Sequence, residues 1–136
     1  MGAEEVRRML LSLLEDGGAE YTQWRGCIRF PMEREGMRWE ALCLCREASA
    51  LVYARYPFPV RDRRRALELC NEVNRQAAHG AVFVPEDGYA VFRTAADMGD
   101  IYDARERLER ALRNSAALIC RFWGSFQACG NPSDAL

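Results

Sequence analysis

The chain has 136 residues, of which 49% are hydrophobic, 29% charged and 10% aromatic. That size suits one domain with one real core, and the composition excludes collagen-like, low-complexity and wholly disordered classes. Nineteen basic residues, every one of them Arg, face 20 acidic residues for a formal net charge of -1, so the basic excess of a dedicated nucleic-acid binder is missing.

No apolar run is long enough to cross a membrane. The acidic start Met1-Gly2-Ala3-Glu4-Glu5 lacks the basic region of a signal peptide, and Val6 stands where N-myristoylation needs Ser or Thr. The expectation is a cytoplasmic protein that engages neither nucleic acid nor membrane. The six cysteines, Cys27, Cys43, Cys45, Cys70, Cys120 and Cys129, fall mostly inside apolar periodic segments. A chain this rich in core residues needs no staples, so reduced, buried thiols are expected.

In chain order, Val6, Met9, Leu10, Leu13 and Leu14 recur at helical spacing and predict a first helix, ended by Gly17-Gly18. The period then changes to two. Trp24, Gly26, Ile28, Phe30 and Met32 alternate with Gln23, Arg25, Cys27 and Arg29, which predicts one strand. A turn over Glu33 to Gly36 leads to a second strand, Met37 to Arg46. Trp39, Ala41, Cys43 and Cys45 share one of its faces. Leu42 and Leu44 lie on the other, so it reads as a central strand. A third strand runs from Ala50 to Tyr56 and is broken by Pro57-Phe58-Pro59.

A second helix over Arg61 to Ala78 carries the stripe Ala66, Leu69, Cys70, Val73 and Ala77, and Gly80 closes it. Ala81 to Pro85 and Gly88 to Thr94 form a hairpin around Glu86-Asp87-Gly88. The last helix is the longest. Asp97 or Asp100 caps it, its stripe runs from Ile101 through Ala104, Leu108, Ala111 and Ile119 to Phe126, and Gly130 and Pro132 stop it. The order α-β-β-β-α-β-β-α gives an α+β fold, with helices packed on an antiparallel sheet in a single domain over 1–136.

The sequence offers no catalytic set. The one histidine, His79, suits a helix C-terminus and has no nucleophile or carboxylate at a telling distance. Cys43 and Cys45 point to one strand face, and Cys27 could come near, but no C-x2-4-C knuckle or fourth ligand completes a metal site. Arg61-Asp62-Arg63-Arg64-Arg65 reads as a solvated helix start or a patch for an acidic partner. Neither GxGxxG nor GxxxxGK[ST] occurs. No enzyme activity, cofactor or metal is expected.

The aromatic residues carry more. If all the helices cover one sheet face, aromatics on the other meet water or a partner. Trp39, Tyr53 and Trp123 sit off or at the edge of clean stripes, so they are the candidate partner-binding residues. Trp39 and Tyr53 are expected on the helix-free sheet face and Trp123 on the last helix beside it.

Pro57-Phe58-Pro59-Val60, then Asn71-Glu72-Val73-Asn74 in a helix, then Phe83 and Gly88 in a hairpin, then Phe122-Trp123 ending a long helix together resemble the YbjN family. That family is described as bacterial sensory transduction regulators, with a fold similar to type III secretion chaperones. The likeness runs from Glu20 to about Phe126. It divides the chain into an N-terminal helix in 1–19, a YbjN-like region 20–128 and a tail 129–136. The resemblance implies a protein that binds a protein partner or itself, as a homodimer, in a chaperone-like or regulatory role. A regulatory domain with a small-molecule pocket between sheet and helices is the alternative.

Overall fold

A computed structural model describes residues 1–130. Pro132, part of the predicted helix stop, and most of the predicted tail 129–136 lie outside the described residues.

The first helix, α1 (Ala3–Asp16), buries Val6, Leu10 and Leu14 of the predicted stripe, with Met9 and Leu13 partly buried at its margins. The strand expected over Gln23 to Met32 is two strands, β1 (Thr22–Trp24) and β2 (Cys27–Arg34). Arg25 and Gly26 between them have φ values of 47° and 78°. Two consecutive residues with positive φ make a tight hairpin turn whose twist matches its strands. The turn ends the predicted alternation, so Trp24 leaves the face of Ile28 and Phe30 and stands 70% exposed.

The remaining elements are β3 (Met37–Arg46), β4 (Ser49–Arg55), α2 (Arg63–Gln76), β5 (Ala81–Phe83), β6 (Val91–Asp97), α3 (Ala104–Arg121) and α4 (Trp123–Ala128). The predicted α+β order holds, with the first strand divided and the last helix broken at Phe122. The six strands form one antiparallel sheet in the order β1-β2-β3-β4-β6-β5.

All the helices cover one face. Beneath α1 and the first half of α3, Ile28, Phe30, Cys43 and Val52 pack with Leu10 and Leu108. Beneath α2, α4 and the end of α3, a second cluster gathers Trp39, Tyr56, Val73, Phe92, Ile119 and Phe126. Burying a side chain of this size contributes about 1.5–3 kcal/mol, so these two clusters hold the helices to the sheet.

Several boundaries differ from expectation for local reasons. Asp97 ends β6, and Asp103 precedes α3. The Asp97 carboxylate accepts the Gly99 amide at 2.9 Å, and the Asp100 carboxylate accepts the Tyr102 amide at 2.9 Å. These short side-chain turns compete with helix, so Ile101 lies outside the stripe and is exposed. The second helix starts later than expected because the Asp62 carboxylate caps it through the Arg65 amide at 3.1 Å. Gly80 does not close that helix, which ends with Gln76. It has φ 115°, and a Cβ there would lie 2.8 Å from the Arg93 carbonyl. A glycine is required by this close approach to β6.

Candidate interaction surface

Directly opposed residues of an antiparallel pair share a face, so the register lays out the uncovered side of the sheet row by row. One row runs Trp24, Cys27, Leu44, Leu51, Ala95. The next runs Arg29, Leu42, Tyr53, Arg93, Ala81. A third runs Pro31, Glu40, Arg55, Val91, Phe83. The centre of this open face is therefore apolar, and arginines rim it. Leu42, Leu44, Leu51 and Tyr53 are only partly exposed because they shield one another, while Trp24 stands clear.

The rim is ordered by pairing. Arg29 meets Glu40 at 3.3 Å, and Arg55 meets Asp87 at 3.4 Å. The Arg55 guanidinium also lies 3.8 Å from the Tyr89 ring centroid, a cation–π contact. Between these arginines, a shallow depression of about 590 Å³ is floored by Leu42 and Tyr53 and walled by Phe83 and Val91.

The structure separates the three predicted partner-binding residues. Tyr53 is on the open face, as expected. Trp39 is not: it is 3% exposed, on the helix-covered face. The reason is register. Arg46 opposes Ser49 across a two-residue turn, which puts Leu42 opposite Tyr53 and turns Trp39 toward the side of Tyr56. Trp123 is half-buried at the start of α4 and packs edge-on to Trp39 at 6.5 Å, Tyr56 at 5.5 Å and Phe58 at 5.3 Å. It belongs to the aromatic core.

Tyr56 is the hub of that core. Its hydroxyl donates to the Ile119 carbonyl at 2.8 Å, and Phe58, Phe92 and Phe126 lie within 6.0 Å. Burial pushes its ionisation upward, so it is a fixed neutral donor. The Trp39 indole N–H has no partner among the described residues.

The cysteines divide by strand face as well. Cys43 and Cys45 lie under α1, and hydrogen bonding to Cys45 together with burial keeps the Cys43 thiol protonated. Cys27 opposes Leu44 and so faces the other way. It does not join them, contrary to the expectation that it could. His79 is exposed at one end of the groove between β6 and α3. In the predicted basic run, Asp62 caps α2 and all four arginines are exposed, Arg64 beside Glu68 at 3.4 Å.

Asn74, singled out in the sequence, has a structural task. Its side chain donates to the Val82 carbonyl at 3.0 Å and accepts the Val82 amide at 2.7 Å. It takes the place of a neighbouring strand along the outer edge of β5 and ties α2 to the sheet.

Sequence reasoning missed Trp24 and Leu51 as surface residues. The usable signal was the pair Arg25-Gly26, which reads as a tight turn, and the parity of Leu51 with Tyr53.

A family model described as "Putative bacterial sensory transduction regulator" matches residues 39–128, from Trp39 in β3 to the end of α4. It leaves α1, β1 and β2 outside. No curated protein and no solved structure matches the chain.

Proposed function

The chain belongs to the YbjN family, and from that premise we propose that it is a non-catalytic, regulatory protein-binding module that pairs with a second copy of itself through the open sheet face. The observation that supports this reading is the segregation of the sheet. Every helix lies on one side, while Trp24, Leu42, Leu44, Leu51 and Tyr53 make a continuous apolar stripe on the other. Leaving such a stripe in water is unfavourable by about 25 cal/mol for each Å². A partner that covers it recovers that free energy. An exposed Trp set among smaller apolar residues is the kind of anchor that dominates interfaces.

The arginine rim supplies orientation rather than most of the affinity. In a two-fold pairing of copies, the paired Arg29–Glu40 and Arg55–Asp87 groups can exchange partners across the seam. The resemblance to type III secretion chaperones, which hold clients on apolar patches, supports a binding role of this kind and names no client.

Sedimentation velocity tests the proposal. The wild-type chain should sediment as a dimer, and Leu42→Glu should sediment as a monomer with unchanged circular dichroism at low temperature. A wild-type chain that stays monomeric at high concentration, or a Leu42→Glu dimer, overturns the reading.

A further inference from the structure

The two margins of the sheet are finished differently. On one side, β1 covers β2 only from Cys27 to Arg29, and the rest of that edge carries Pro31. The Gly26 carbonyl accepts the Cys45 amide, so even-numbered residues of β2 bond to β3 and odd-numbered ones point outward. Pro31 therefore removes an outward donor, a common way to blunt an edge. On the other side, Asn74 occupies the outer edge of β5.

One stretch is left open. β5 pairs with β6 only at Val91–Arg93, so among the described residues β6 has no strand partner on that side from Thr94 to Asp97. The Tyr56 amide donates to the Ala90 carbonyl, and the Met98 amide to the Ala48 carbonyl. Even-numbered residues of β6 thus bond toward β4, and the backbone amides and carbonyls of Ala95 and Asp97 point outward. The open length is about 13 Å at roughly 3.3 Å per residue.

This edge borders a groove of about 370 Å³ between β6 and α3. The floor is small: Gly80, Ala95 and Ala111 leave room for another backbone. The α3 wall presents Arg107, Arg110 and Asn114 along one side of the helix, and the Thr94 hydroxyl bonds to the Ala111 carbonyl at 3.2 Å, which holds that wall in place. Among the described residues, Arg107 pairs with the half-buried Asp103 just before α3 at 2.7 Å and Arg110 with the exposed Glu106 at 2.9 Å, while Asp97 lines the same groove. Such pairs contribute about 0.3–0.5 kcal/mol and exchange readily.

We propose that the Thr94–Asp97 edge of β6 takes an extended acidic segment of a partner protein as an added strand. The outward amides and carbonyls of Ala95 and Asp97 bond the segment's backbone. Its alternate side chains turn toward α3, where Asp or Glu meets Arg107 and Arg110. The site adjoins the open face, since Ala95 opposes Leu51, but it uses the outward backbone groups of β6 and the side chains of α3 instead of the Leu42 and Leu51 side chains.

The test is binding of a fluorescent peptide alternating Glu and Val, followed by anisotropy at low salt. Saturable binding is expected, with the Ala95 amide gaining protection from hydrogen exchange. A Lys-Val peptide should not bind. A backbone N-methylated Glu-Val peptide, and the Arg107→Gln/Arg110→Gln variant, should each bind about tenfold more weakly or worse. Arg64→Gln should leave binding unchanged, which ties the effect to the α3 arginines rather than to loss of any exposed positive charge. Absence of saturable binding overturns the proposal. So does indifference to peptide charge, to N-methylation or to the paired Arg substitution, and so does concentration-dependent protection of Ala95 without peptide, which would mark a self-association edge. The N-methylated arm uses the wild-type chain, so it stands even if the variant misfolds.

Discussion

Replacing Trp39 by Ala separates a core role from a surface role. Trp39 is 3% exposed and packs edge-on to Trp123 at 6.5 Å. Truncating a buried Trp to Ala costs about 3–5 kcal/mol through lost transfer energy and the cavity left behind. One contribution acts in the opposite direction. The Trp39 indole N–H is buried without a partner among the described residues, and an unsatisfied donor carries a penalty of about 1–3 kcal/mol that truncation removes. Taking the middle of both ranges, the net loss is about 2 kcal/mol, or roughly 8 °C in melting temperature at about 4 °C per kcal/mol for a chain of this size. Trp39→Phe should be much milder, within about 1 kcal/mol of wild type, because it keeps a ring in place and deletes the orphaned donor. Urea unfolding followed by far-ultraviolet circular dichroism reads both variants. A Trp39→Ala loss under about 1 kcal/mol, or a Trp39→Phe loss equal to that of Ala, would refute the burial argument.

Two further outcomes follow from local chemistry. Asn74→Ala deletes both bonds to Val82 and leaves that backbone amide and carbonyl without the side chain that paired them, so a loss of about 1–3 kcal/mol is expected; urea melts check the magnitude, and hydrogen exchange at the Val82 amide should rise. Burial, with a smaller effect from Cys129, pushes the Cys70 thiol from 9.0 up to about 11. The folded chain keeps that proton where the unfolded chain releases it, so the contribution to stability is full below pH 9 and declines as pH rises from 9 to 11. Under reductant, Cys70→Ala should make the alkaline decline shallower; an unchanged slope would refute the assignment.

The proposed interaction surface tests how far one dimension can be read. Its residues were in view from the start: Leu42 and Leu44 opposite Cys43 on the second strand, and Tyr53 on the third. Their apolar character read as burial on both faces. Nothing in the spacing said that every helix would choose the same side, because a helix stripe shows only that a helix packs, and not on what. The same ambiguity grouped Trp39 with Tyr53. Within one strand the alternation was right, but across two strands the shared face depends on the length of the turn, and here Glu47-Ala48 is a two-residue turn that places them on opposite sides.

Local chemistry was thus decided by the sequence. The period of the apolar residues set α1, β3 and α2, and the Asp62 carboxylate began α2, because these effects act over a few residues. Positive φ at Arg25 and Gly26 belongs to the same class, although the alternation on either side concealed it. The tertiary structure alone decided that β6 returns to β4, that β5 stops short along β6, and that all the helices share one face. These depend on contacts between segments far apart in the chain, where the free energy of covering one large surface outweighs any local preference. The open face and the uncapped β6 edge are both products of that choice.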